Sequence, residues 1–200
     1  MANNFVNSFA SIVTAGEFYQ SNASDTSTGP QTIYTANNGS SGVNSILIEL
    51  DAANTGTSGI TVSAFIQDTS ATLGSITSVV SSSDVATVTT GSAHGLKVGQ
   101  YVNVTGSSTN YVNGMYKVAS VPSTTTFTYA QNSSAANGTA AGTIVIYKAY
   151  HIVKDAPIPA SATLKVVAGQ KIVLNSNDKV IAYASAGTCD IVAGILQEVT

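Results

Sequence analysis

The chain has no arginine, no tryptophan and one cysteine, and only 8% of its 200 residues are charged. Each shortage closes off a class of function. Arginine grips phosphates and base edges in bidentate fashion. Here the seven basic residues are all lysine, against ten acidic ones, for a net charge of −3. They form no basic stripe, so nucleic-acid binding is not expected. The missing tryptophan weakens the case for a sugar-stacking site. Cys189 has no partner for an intrachain disulfide. Lying in Thr188-Cys189-Asp190-Ile191-Val192, it is expected to be a buried, inert core thiol. No apolar run reaches the roughly eighteen residues of a membrane helix, so no membrane span is expected. The start Met1-Ala2-Asn3-Asn4-Phe5-Val6-Asn7 lacks the basic and apolar regions of a signal peptide. The expectation is synthesis in a cytoplasm without secretion.

What is present is strand chemistry. Hydrophobic residues make up 44% of the chain, enough for a core, and Ser, Thr, Asn and Gly supply the polarity. Ile46, Ile48 and Leu50 alternate with Ser45, Leu47 and Glu49. Ile60, Val62, Ala64 and Ile66 alternate with Thr61, Ser63, Phe65 and Gln67. Period two with β-branched residues predicts half-buried strands. The turn cluster at 54–59 holds Gly56 and Gly59, so 43–68 reads as a hairpin. In the first forty residues, 9–13 and 32–35 each read as a strand, either a simple edge or an arm reaching a neighbouring subunit. The C-terminal third reads as strands at 151–154, 163–167, 170–174, 179–184 and 189–199. Pro157 and Pro159 predict an extended corner at 155–160. No segment carries a capped 3.6-residue period. The fold expected is all-β: an antiparallel β-sandwich, or a barrel-like variant of one.

The middle of the chain differs from its flanks. Residues 75–147 hold only Asp84, Lys97 and Lys117 as charges. The strand ending Phe65-Ile66-Gln67-Asp68 and the one starting Tyr150-His151-Ile152-Val153 look like partners that a short turn could join. Insertions at such tips cost little loop entropy. The expected organisation is a discontinuous outer domain, 1–74 and 149–200, with a small all-β module, 75–148, inserted at a hairpin tip. The module contains Ala93-His94-Gly95-Leu96-Lys97-Val98-Gly99, then Tyr111-Val112-Asn113-Gly114-Met115-Tyr116-Lys117-Val118, then Val121-Pro122-Ser123-Thr124-Thr125-Thr126-Phe127-Thr128-Tyr129. This cadence of a turn, a hairpin and a strand resembles small β modules of tailed-bacteriophage virion proteins. Residues 150–200, with Val153-Lys154-Asp155-Ala156-Pro157-Ile158-Pro159-Ala160 and Lys171-Ile172-Val173-Leu174, resemble a short virion protein of phages of aquatic bacteria. The resemblance rests on turn and core residues and implies a place in a particle, not a chemistry.

A search for sites yields little. His94 precedes Gly95 and is expected to hold a turn. His151 opens a strand and is expected to be exposed or paired across strands. Two distant histidines and one cysteine do not make a zinc site. Asp51, Asp68 and Asp178 are expected at strand ends as backbone caps rather than calcium ligands. No Gly-x-Ser-x-Gly elbow, carboxylate pair or phosphate cradle stands out. No catalysis, cofactor or metal is expected. Tyr101, Tyr111, Tyr116 and Tyr129 remain as candidate surface contacts of the module, with cross-strand packing as the competing role.

The resemblance therefore implies a non-enzymatic virion subunit on the neck or tail. A capsid decoration protein and a receptor- or glycan-binding module are the alternatives. Expected partners are other copies, other virion proteins and, through the module, a host surface. The stretch 60–66 has no charge and 189–197 has only Asp190, so these or neighbouring strands are expected to be edges covered in a homo-oligomer or by a virion partner.

Overall fold

The computed structural model describes residues 4–12, 30–36, 44–109, 112–131 and 138–199. Among them the chain is all-β, with no α-helix. It divides into two compact units, one built from 31–69 and 150–199 with the N-terminal strand, the other around 70–149.

The first unit is a sandwich of two antiparallel sheets. In one, β1 (Asn4–Ile12), β14 (Cys189–Val199), β3 (Asn44–Asn54) and β12 (Thr163–Leu174) lie in that order. In the other, the 150–158 part of β11 (Gly142–Ile158) is followed by β4 (Ile60–Thr72), β13 (Lys179–Ala184) and β2 (Gln31–Thr35). The shared core takes Leu47, Leu50 and Ala52 from β3, and Ile191 and Ile195 from β14. Facing them are Ile60, Val62 and Ala64 from β4, and Val180 and Ala182 from β13.

Several expected elements are rearranged. The segment 43–68 is not a hairpin: β3 pairs with β12 and β14, whereas β4 pairs in the opposite sheet. The turn carries the chain across the core from one sheet to the other. Alternation cannot distinguish the two cases, because both strands still point one face into the same core. Asn54 holds the crossing. Its Nδ2 donates to the carbonyls of Ser58 (2.8 Å), Ile158 (3.2 Å) and Pro159 (3.0 Å). Its Oδ1 accepts from the Gly56 N–H at 2.9 Å and from the Thr188 hydroxyl at 3.3 Å. Along β3 the register with both neighbours skips Ile48, a bulge that moves the buried face from Leu47 to Leu50. Ile46 and Ile48 are therefore only half-buried.

The predicted corner at 155–160 is strand as far as Ile158. Proline fits there because β11 pairs with β7 only through 142–149, which leaves 150–158 as an edge of the sandwich. Asp155 sits at φ 49°, a left-handed conformation unusual for a non-glycine residue. Residues 60–66 and 189–197, expected as strand edges covered in an assembly, are interior: β4 lies between β11 and β13, and β14 between β1 and β3. Their scarcity of charge, Asp190 apart, follows from enclosure by their own neighbours.

The second unit orders β10 (Gly138–Thr139), β5 (Ile76–Ser82), β6 (Val85–Thr90), β9 (Thr126–Ala130), β8 (Gly114–Ser123) and β7 (Tyr101–Ser107), ending on the 142–149 part of β11. It has its own core, including Val79, Val88, Val102, Val104, Phe127 and Ile146. Ser83 and Asp84, at φ 50° and 60°, make the tight β5–β6 turn. The stretch 121–129, expected as one strand, is a hairpin: Ser123 pairs with Thr126, and the Ser123 Oγ accepts from the Thr125 N–H. Gly106 and Gly142 lie where β7 and β11 approach closely. A Cβ on Gly106 would meet the Thr143 carbonyl at 2.1 Å.

Candidate functional site

The candidate tyrosines do not form one surface. Tyr116 and Tyr129 are 2% and 0% exposed and stack with ring centroids 4.1 Å apart. They are core residues, because β8 and β9 turn those positions inward. Burial pushes the Tyr129 hydroxyl well above its usual range. Tyr101, on β7, is half-buried, and Tyr111 lies outside the described residues.

The phage-like motif residues are turn devices. His94 is buried, and its Nδ1 accepts the Leu96 N–H at 3.0 Å. Gly95 follows at φ +62°, a conformation that favours glycine. The His94 ring meets Phe127 edge-on, with centroids 5.2 Å apart. Asn113 closes the β7–β8 loop by accepting from the Ser107 N–H and donating to the Ser107 carbonyl.

In the first unit, Ser63, His151 and Asp155 lie close together on β4 and β11, yet their bonding is that of a staple. The Ser63 hydroxyl donates to Asp155 Oδ1 at 3.2 Å and accepts the Asp155 N–H at 2.9 Å. Lys154 pairs with the other carboxylate oxygen at 2.7 Å, and this hydrogen bond holds the Asp155 carboxyl below its usual range. His151 is half-buried against Phe65, with centroids 5.9 Å apart, and burial lowers its pKa. Asp178 is the one expected cap that behaves as one, accepting from the backbone N–H groups of Asn175 and Thr69. Asp51 and Asp68 lie within strands instead of at their ends. Burial, and then the neighbouring Glu49, raise the Asp51 carboxyl. Cys189 is buried, which pushes its thiol to about 11. Among the described residues no three His, Cys, Asp or Glu side chains converge as metal ligands would.

A shallow groove of about 470 Å³ opens between Gly59, Ile60, Pro157, Ile158 and Pro159. Its lining is mainly apolar, with the hydroxyls of Thr61 and Ser185 beside it, and carries no titratable group.

The outward side of the first sheet carries several exposed apolar side chains. The register places Phe5 beside Leu196, Leu196 beside Ile46, and Ile46 beside Val173. Phe5 and Val173, at the two ends of this row, are 73% and 57% exposed. Phe9 is 69% exposed and lies beside Val192, which is 37% exposed. Sequence reading missed this surface. Its signal was the alternation of Phe5, Asn7 and Phe9, legible only once β1 is known to be an edge. The chain matches no protein-family model, no curated protein and no solved structure.

Proposed function

We propose that the chain is a non-enzymatic structural subunit of a tailed-phage particle, associating with copies of itself and with other virion proteins at the neck or tail. The observation that carries this reading is the Ala93-His94-Gly95-Leu96 turn with the two hairpins that follow it. In each, the motif residues act as turn locks or core: His94 on Leu96, Asn113 on Ser107, Tyr116 on Tyr129. A module whose distinctive residues hold shape suits an accessory of an assembly. The exposed Phe5, Phe9, Val173 and Val192 on the outward side of the first sheet support the same reading, since apolar side chains set together on a surface gain from being covered. Burial of Tyr116 and Tyr129 weighs against a tyrosine-lined receptor or glycan site.

Quantitative mass spectrometry of purified particles, with antibody labelling in electron micrographs, tests this. The expected result is a fixed small number of copies at the neck or tail. A large copy number spread over the head would establish the decoration role instead. Absence of the chain from particles would overturn the reading.

A further inference from the structure

We propose that β1 is a self-pairing edge through which two copies of this chain join their first sheets about a two-fold axis. This deepens the self-association part of the reading above and names its surface and its partner.

The described edge strands of the sandwich are not alike. The β11 edge carries Lys154, Asp155 in a left-handed conformation, and Pro157. The β12 edge carries Lys165 and Lys171 and two breaks in register. The β2 edge is five residues long and its pairing is also broken. Charges, prolines, bulges and shortness are the devices that stop an edge from pairing with another chain. β1 has none of them: nine residues in unbroken register with β14, no charge, no proline. It also displays Phe5 and Phe9 to solvent.

The sequence of β1 is self-complementary about Asn7. Antiparallel pairing with a copy centred there sets Phe5 opposite Phe9, and Phe9 opposite Phe5, on the outward face. Cross-strand aromatic pairs of this kind stabilise sheets. Asn7 meets Asn7, and an amide is both donor and acceptor, so it complements itself. Val6 meets Ser8 on the inward face. A two-fold axis brings like against like, so a strand of zero charge suits it. Laying one outward face on another would instead crowd Glu49, Asp51 and Asp190 of both copies around Lys165. Four phenylalanine rings bury roughly 150–250 Å² each when enclosed. Side-by-side pairing covers only the facing edges of those rings together with the two strand edges, a contact at the small end of specific interfaces, which suits a reversible dimer.

Analytical ultracentrifugation of the full chain tests the proposal. The wild-type protein is expected to be a reversible dimer. Phe5→Lys and Phe9→Lys are each expected to raise the dissociation constant at least about tenfold, with the fold intact by its melting curve. Register is tested separately by oxidation. Asn7→Cys is expected to form an intermolecular disulfide, because paired Cα atoms at the axis are about 4.5–5.5 Å apart. Ser11→Cys is not, because eight residues of offset separate its copies by about 27 Å. An oligomer that survives both lysine variants and does not cross-link through Asn7→Cys would overturn the β1 pairing and leave self-association through another surface. A monomer at every concentration would overturn both.

Discussion

Asn54 shows how much one amide can do at a crossing between sheets. It is 2% exposed and satisfies three carbonyls, one N–H and one hydroxyl drawn from three segments of the first unit. Removing it unties the crossing and leaves the carbonyl of the buried Ile158 without this partner. Asn54→Ala is therefore expected to cost about 2–4 kcal/mol, read as a lower denaturant midpoint with an unchanged slope. His151 supplies a pH dependence. Burial against Phe65, and then Lys154, lower its pKa, so the unfolded chain takes up the proton more readily than the folded one. The contribution of the neutral ring is fully present above about 6.5 and is lost as the pH falls below that value. Melting temperature should drop between about pH 7 and pH 5, and His151→Gln should remove that part of the slope. An equal slope in the variant would refute the assignment.

Among the strands, position in the sheet decides what a neutral sequence means. β4 and β14 are uncharged over 60–66 and nearly so over 189–197 because each is hydrogen-bonded on both sides. β1 is uncharged at an edge, where the same composition leaves it open to another chain. Amide hydrogen exchange separates the two cases. In the Phe5→Lys variant, amides at the centres of β4 and β14 are expected to exchange only through near-global unfolding, and those of β1 through cheap local opening. Equal protection of all three would show that β1 is covered within the chain itself. The hairpin expected over 43–68 failed for a related reason. Alternation reports which face of a strand is buried, and a strand that crosses a core keeps the same alternation as one that folds back beside its neighbour.

The two units each gather their own apolar cluster, one around Leu47, Leu50 and Val180, the other around Val88, Val102 and Phe127. Separate cores imply separate cooperativity. Replacing 70–149 by a short turn between β4 and the 150–158 part of β11 is therefore expected to leave a chain that unfolds in one cooperative transition. The strands to be joined already lie side by side, stapled by Ser63 and Asp155. Loss of a cooperative transition in the shortened chain would show that the first core depends on the second.

Period-two patterning, turn clusters and the absence of capped helical periods already required an all-β chain, because side-chain alternation is set locally by the strand backbone. The same local logic made His94 legible as a turn residue beside Gly95, and Cys189 as an enclosed thiol. Three things depended on partners far along the chain, and only the folded arrangement could supply them. It sent β3 and β4 to opposite sheets, turned Tyr116 and Tyr129 into the second core, and, among the described strands, paired β1 in its sheet with β14 alone while enclosing β4 and β14. The physical reason is that burial belongs to pairs of distant segments, and a strand's own residues do not specify how many neighbours it will have.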